Sequence, residues 1–146
     1  MTSKPAGGEP APRIAKARLE AVAADVPEGL PPYAQAFTAV VNVEVVPVAR
    51  VSRAGTGATA AADRLWLEHA RAEAVLDDQD RFLVHGADRD WVQVRLTADT
   101  ALSAALPPGT GSMAIAMSTD GRRLCALTEE DDEYWIVVHR FDAPTV

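Results

Sequence analysis

The last third of the chain constrains its fold most strongly, because its apolar residues recur with the period of extended strands. Residues 113–141 read MAIAMSTDGRRLCALTEEDDEYWIVVHRF and divide into three short apolar runs. Asp120-Gly121 separates the first two runs, and the acidic stretch Glu129–Glu133 separates the second from the third. Separators of this kind are typical of turns between antiparallel neighbours. The pattern therefore predicts a three-stranded antiparallel meander.

Both faces of this predicted sheet are apolar. In the second run Leu124 and Ala126 alternate with Cys125 and Leu127, so neither face is polar. A sheet with one face in water would alternate apolar and polar residues instead. We therefore expect the sheet to be covered on both sides or to curl around an interior.

Periodicity predicts five further elements before the meander. Apolar residues at helical spacing indicate helices, alternation indicates strands, and proline and glycine mark the ends. In chain order we expect a helix of about 14 residues from Pro12 to Val26, a strand Phe37–Val46, a helix capped by Thr59 and running to Leu76, a hairpin of Arg81–Gly86 with Trp91–Leu96, and a short helix Ala98–Leu106.

These elements define the expected fold class, α+β. We expect a single domain with a curved, mostly antiparallel sheet, a central helix packed on one face, and the C-terminal meander. A chain of 146 residues is long enough for one hydrophobic core. Residues 1–11 are rich in glycine and proline and lack periodicity, so we expect a disordered tail followed by a domain at 12–146.

Composition limits the kinds of partner and the compartment. The chain carries 21 Asp and Glu against 14 Lys and Arg, a balance that repels phosphate backbones and anionic membranes. We therefore expect neither nucleic acid nor membrane as a partner. Its one cysteine, Cys125, excludes an internal disulfide and suits a reducing cytoplasm. Abundant Ala and the preference for Arg over Lys are typical of a bacterial protein from a GC-rich genome.

A pair on the central helix is the sharpest candidate for chemistry. His69 and Glu73 are four residues apart, so the carboxylate could orient the imidazole and raise its basicity for general-base catalysis. His139, on the last strand, could converge on the same interior. Trp66 and Trp135 would then line a ligand pocket under the curved sheet. The alternative is that His69 is a hydrogen-bonded histidine at the core boundary and Glu73 is solvated.

A second candidate surface lies on the predicted hairpin. Alternation places Trp91 with Gln93 and Arg95 on its polar face. An exposed tryptophan among polar residues is typical of a protein contact, so we expect these residues to bind a protein partner.

Metal and cofactor signatures are weak in this sequence. Asp77, Asp78 and Asp80 do not match the spacing of a calcium loop, and we expect no metal site. The segment Gly55-Thr56-Gly57 could present backbone N–H groups to a phosphate or form a plain turn that starts a helix. Cys125 lies within an apolar run, where a buried thiol is the expected state. We expect no cofactor.

The leading functional hypothesis is a non-catalytic protein-interaction module of the bacterial cytoplasm, such as an adaptor, an immunity-type inhibitor or an assembly component. It rests on the acidic charge, the lack of an assembled catalytic signature and the Trp91 face. The alternative is a small-molecule-binding protein or enzyme whose pocket uses His69 and Glu73. Alanine-rich helices and a two-faced apolar sheet would also suit a homodimer.

Overall fold

One antiparallel sheet organises the molecule. The computed structural model describes residues 12–22, 26–42, 44–86, 91–106 and 113–141. Within these ranges seven strands pair in the order β1-β4-β3-β5-β6-β7-β2, which makes β1 and β2 the two edges of an open sheet. The strands are β1 (Glu20–Ala21), β2 (Ala49–Ser52), β3 (Arg81–Val84), β4 (Val92–Arg95), β5 (Met113–Met117), β6 (Arg123–Glu129) and β7 (Glu133–Arg140).

Helices cover this sheet. The described residues contain three α-helices, α1 (Pro12–Lys16), α2 (Tyr33–Val40) and α3 (Ala58–Ala72), and one 3₁₀ turn, Leu102–Ala105. The predicted α+β class, with one mostly antiparallel sheet and a central helix, is confirmed. Residues 1–11, expected to be a disordered tail, lie outside the described residues.

The predicted meander and hairpin both form. Strands β5, β6 and β7 pair in sequence order, and Arg123 lies directly opposite Arg140. In the hairpin, Phe82 pairs with Val94 and Val84 with Val92, so the apolar faces match as expected. Asp120-Gly121 makes the first turn of the meander. Gly121 has φ +75°, a left-handed conformation that favours glycine, and a Cβ there would also meet Leu30 Cδ2 at 2.7 Å and Pro31 Cδ at 3.1 Å.

The sheet is covered on both sides, as the apolar faces of the meander predict. We name its sides the α3 face and the α2 face after the helix on each. The α3 face holds the larger cluster, including Trp66, Phe82 and Ile136. The α2 face holds a smaller one, including Ala36, Val40 and Val137. Each inward side chain removes apolar surface from water, and this burial is the main term that holds the layers together.

The first helix is shorter than predicted. It ends at Lys16, because Arg18 adopts a left-handed conformation with φ 59° and the Leu19 N–H bonds to the Ile14 carbonyl at 3.1 Å. This six-to-one bond closes the helix end. The chain then forms β1, which pairs with β4. Helical spacing alone does not reveal that the next apolar residue, Leu19, already belongs to the turn.

The predicted strand Phe37–Val46 is wrong, because this region begins with helix α2. Its β-branched alternation fits a strand, yet Ala36 and Val40 at helical spacing bury themselves against the sheet. The apolar α2 face needs a cover, and this tertiary demand overrides local β propensity. Val43 lies outside the described residues. The strand that does form, β2, begins after Pro47 at the edge of the sheet.

The central helix is confirmed, but its ends differ from the prediction. Gly57, with φ 84°, occupies the N-cap position in place of Thr59. The helix ends at Ala72 and not at Leu76, since Ala74 turns left-handed with φ 59° and the Val75 N–H bonds to the Ala70 carbonyl at 2.9 Å. The short helix predicted at Ala98–Leu106 is reduced to the 3₁₀ turn. Among the described residues, no helix is long and apolar enough to span a membrane.

Candidate functional site

The predicted pocket does not form, because its two tryptophans lie on opposite faces of the sheet. Trp66 is buried on the α3 face and donates its Nε1–H to the Cys125 carbonyl at 3.0 Å. Trp135 is half-buried and packs against the cluster on the α2 face. Successive residues of a strand alternate between faces, so Ile136, not Trp135, points toward α3. No single cavity can be lined by both rings.

The His69–Glu73 pair that the sequence predicts is also absent, since the Glu73 carboxylate is engaged by arginines. Arg140 donates to Glu73 Oε1 from Nη2 at 3.2 Å and from Nε at 3.3 Å. Arg123 Nη1 lies 3.9 Å from the same oxygen and donates to the Glu73 backbone carbonyl at 3.3 Å. Within the described residues, the hydrogen bond between Glu73 and His69 is the helical one from the Glu73 N–H to the His69 carbonyl. Glu73 therefore pairs with two neighbouring guanidinium groups through one carboxylate oxygen.

His139 does not converge on His69. Its side chain is exposed on the α2 face, with its ring centroid 4.7 Å from that of Phe141. The residue that reaches the helix α3 side is its neighbour Arg140, through Glu73. The predicted convergence of His139 and His69 is therefore wrong, because Arg140, the next residue of the strand, reaches the α3 side and His139 does not.

The exposure predicted for the hairpin surface is wrong for Trp91 and Gln93. Trp91 is 3% exposed, donates its Nε1–H to the Pro31 carbonyl at 2.8 Å and packs edge-on against Tyr33. Gln93 is 9% exposed, and its Oε1 has no hydrogen-bond partner among the described residues. Alternation assigns these residues to the correct face, but the segment before α2 covers that face. Arg95 is exposed and forms an ion pair with Glu20 at 3.1 Å.

Exposed apolar residues are concentrated in a different part of the molecule. Among the described residues from α2 to β2, four large apolar side chains are open to solvent: Phe37 (41%), Val41 (47%), Val46 (77%) and Val48 (45%). Scattered single exposures are ordinary, but a group of them within one segment marks a candidate interaction site. Together with Arg50 and Trp135, described next, we name these residues the α2–β2 surface.

Arg50 and Trp135 extend this surface onto the sheet. The two residues are directly opposite each other on β2 and β7. The Arg50 guanidinium carbon lies 5.4 Å from the Trp135 ring centroid, a cation–π contact. Glu133 Oε1 accepts the indole N–H at 3.0 Å and so fixes the ring. Within the described residues Arg50 forms no ion pair, and its side chain is exposed.

Local hydrogen bonds hold the link between α2 and β2 in place. Asn42 Nδ2 donates to the Thr38 carbonyl at 2.8 Å, while Asn42 Oδ1 accepts the Glu44 N–H at 2.9 Å. The Val45 N–H then bonds to the Asn42 carbonyl, and the Val45 side chain packs into the cluster on the α2 face. Because these contacts hold the turn, the backbone that leads to Val46 has a defined conformation. The exposure of the Val46 side chain is therefore a consequence of the fold.

A separate cleft lies where β5 runs past the end of β3. The pairing of these strands includes Leu83 and Val84 but no later residue of β3, whereas β5 begins at Met113. The opening has a volume of about 410 Å³, including space open to solvent. Tyr33 and His85 stack at its rim with ring centroids 3.7 Å apart. The rest of its lining is apolar: Ile14, Leu19, Val84, Leu102, Met113, Ala114 and Ile115.

The remaining candidates have structural roles. Asp77 accepts backbone N–H bonds from Gln79 and Arg81 and so closes the turn before β3. In the described part of the chain, no group of three or more His, Cys, Asp or Glu side chains is placed to hold a metal ion. Burial strongly raises the pKa of the Cys125 thiol, with a smaller contribution from the charge of Glu73. The thiol is therefore held protonated and is not a nucleophile.

Comparison of the chain with protein-family models, with curated proteins and with solved structures finds no match in any of the three.

Sequence reasoning missed the α2–β2 surface, although one signal for it was present. Val46-Pro47-Val48 places two apolar side chains beside a residue that cannot donate to a sheet ladder. Proline in such a position indicates an edge, where apolar neighbours remain uncovered. No comparable signal identified Tyr33 and His85, which are brought together only by the fold.

Proposed function

We propose that this chain is a non-catalytic protein-interaction module of the bacterial cytoplasm, and that it binds its partner through the α2–β2 surface. The observation that carries the proposal is the group of exposed apolar residues on α2 and on the segment that leads from it, through an anchored turn, to an open sheet edge. Removal of such side chains from water is a main driving force of protein association. Roles as an adaptor, an immunity-type inhibitor or an assembly component all require such a surface.

Two further observations support this choice. The contact of Glu73 with Arg123 and Arg140 removes the acid–base pair on which the enzymatic alternative rested. Two side chains of the surface are also of the kinds that dominate binding energy, since Trp135 and Arg50 are an aromatic and a guanidinium group in contact. The acidic composition and single cysteine are consistent with the cytoplasm as the compartment.

A pull-down from the native lysate with matched variants tests the proposal. Val46→Asp places a charge at the most exposed apolar position of the surface and should abolish capture of the specific partner. Ala98→Asp adds the same charge at an exposed turn after β4, near the opposite edge of the sheet, and should leave capture intact. Equal capture by wild type and Val46→Asp, with both proteins folded, would reject the surface.

The β3–β5 cleft supports a second candidate function, the binding of a small apolar molecule. This hypothesis uses Tyr33 and His85 at the rim of the cleft in place of the predicted His69 and Glu73. Indole, observed by saturation-transfer NMR, is a suitable probe. Ala114→Leu narrows the cleft and should remove the signal, whereas Ala98→Asp should not. Binding of indole that is unchanged by Ala114→Leu would reject the cleft as its site.

A further inference from the structure

In the described part of the chain, the free edge of β2 has backbone groups at defined positions that pair with no other strand. The Arg53 N–H bonds to the carbonyl of Asp132, its directly opposite residue, at 2.9 Å. In an antiparallel pair, residues that bond to the partner strand alternate with residues whose N–H and C=O point away. Val51 therefore faces β7 like Arg53, while Arg50 and Ser52 direct their backbone groups outward. Since β2 is the last strand of the described sheet, these groups face no other strand there.

The side chains along this edge change in character from the start of β2 to its end. Val46 and Val48 are apolar and exposed at its start, and Arg50 is a cation without an ion pair among the described residues. Beyond Ser52, Arg53 is paired with Glu129, and Asp132 lies across β2 on the β7 side, opposite Arg53. From the start of β2 to its end, the free edge therefore presents exposed apolar groups and then one cation.

Like charges disfavour a second copy of the chain at this edge. Two-fold antiparallel pairing through the outward groups of Arg50 and Ser52 would centre on Val51 and place Arg50 of each copy opposite Ser52 of the other, so neither guanidinium would gain an acidic partner. Arg53 is paired with Glu129 at 3.1 Å, so the charges that repel at this seam are those of the two Arg50 side chains. A strand carrying an acidic residue opposite Arg50 avoids this repulsion and gains an ion pair.

We propose that the partner docks as an additional antiparallel strand on β2, as an extended segment whose side chains on the Arg50 face run acidic and then apolar from N to C. The acidic side chain lies opposite Arg50, and the apolar ones lie beside Val48 and Val46. Backbone bonds to Arg50 and Ser52 supply affinity, and the alternating side chains supply specificity. This inference rests on the proposed function, because it names the partner class of the same surface.

A charge-swap experiment with synthetic peptides tests the docking mode. The probes are the heptapeptides Lys-Thr-Glu-Thr-Val-Thr-Val and Lys-Thr-Lys-Thr-Val-Thr-Val, with blocked ends, titrated into the full chain. The wild type should bind the glutamate peptide about fivefold more tightly than the lysine peptide. Arg50→Glu should reverse this preference. Arg64→Glu makes the same charge change at an exposed position of α3 and should preserve the preference.

Several results would overturn the inference. Equal binding of the two peptides, no reversal in Arg50→Glu, or no binding of either peptide at millimolar concentration would each do so. A dimer of the protein alone that protects the Arg50 and Ser52 amides would also do so, because a second copy would then occupy the edge. If these results occur while Val46→Asp still abolishes capture of the native partner, the proposed function stands and only strand docking is rejected. If capture survives Val46→Asp, the proposed function is rejected instead.

Discussion

Arg50 lies over the indole of Trp135, its directly opposite neighbour across β2 and β7, with the guanidinium carbon 5.4 Å from the ring centroid. Edge strands are commonly protected from unwanted pairing by a charged side chain. Arg50 can serve that purpose and still offer a cation to an acidic partner. In the proposed docking mode, the pair combines protection of the free protein with selection of the docking strand.

If Arg50 serves binding, its removal should have little effect on folding. We expect Arg50→Ala to lower the free energy of unfolding by less than about 1 kcal/mol, because a cation–π contact at an exposed site contributes no more than that. Urea denaturation of both proteins measures the change. A loss of more than about 2 kcal/mol, typical of a buried group, would assign Arg50 a structural role.

Glu73 should be needed for stability through the arginines it holds. Arg123 and Arg140 are directly opposite each other, and like charges in this position destabilise a sheet unless an anion lies between them. We expect Glu73→Gln to cost about 0.5–1 kcal/mol at low salt, and less at high salt, because Arg140 is largely exposed. The control is Glu68→Gln, at an exposed position of α3. Equal effects of the two substitutions would contradict the role of Glu73.

Asp63 should make stability depend on pH. Burial raises the pKa of its carboxyl group, and hydrogen bonds from Ser103 offset only part of that effect. The folded state then binds the proton more tightly than the unfolded state, so this contribution to stability is lost as pH rises from the ordinary value of 3.8 through the raised pKa.

The variant Asp63→Asn isolates this effect, since it can still accept the Ser103 N–H. The stability of the wild type relative to Asp63→Asn should fall between a pH just below 3.8 and neutrality. Asp99→Asn, in an exposed turn, provides the control. Urea midpoints at the two pH values measure the difference. A difference that is constant or that grows with pH would contradict the assignment.

The fold was predictable from sequence wherever local pattern and tertiary packing agree. In the meander and the β3–β4 hairpin, alternation and turn residues select the same strands that the core requires. Around Phe37 local pattern and tertiary packing conflict, because β-branched residues favour a strand, whereas a helix is needed to cover the apolar α2 face of the sheet. Arg18 and Ala74 adopt left-handed conformations that their residue types do not indicate. The sequence therefore did not predict where the two helices end.

The candidate site was less predictable, for a related reason. Trp91 lies on the face that alternation assigns, but whether that face meets water depends on the segment ending at Tyr33, which is distant in sequence. The separation of Trp66 from Trp135 follows from which residue of β7 faces α3, a choice that is fixed only by the sheet. The acidic turn at Asp77, which resembles a metal site in composition, is explained by the backbone N–H groups that donate to the Asp77 carboxylate.

Cys125 should be unreactive in the folded protein. Burial raises its pKa, and its Sγ lies 3.8 Å from the Trp66 carbonyl oxygen inside the core. We expect a thiol-specific disulfide reagent to modify the folded protein only as fast as it opens, and the unfolded protein at once. The release of the coloured thiol product, with and without guanidinium chloride, measures both rates. Immediate modification of the folded protein would contradict the burial of this thiol.

Amide hydrogen exchange of the protein, alone and with the partner captured from the lysate, tests the central claim most directly. The N–H groups of Arg50 and Ser52 face outward in the free protein and should exchange rapidly. On binding they should slow by about tenfold or more, while the amides of Glu20 and Ala21 at the opposite edge stay unchanged. Protection confined to the β3–β5 cleft or to the β1 edge, with Arg50 and Ser52 unaffected, would contradict the claim that the α2–β2 surface binds the partner.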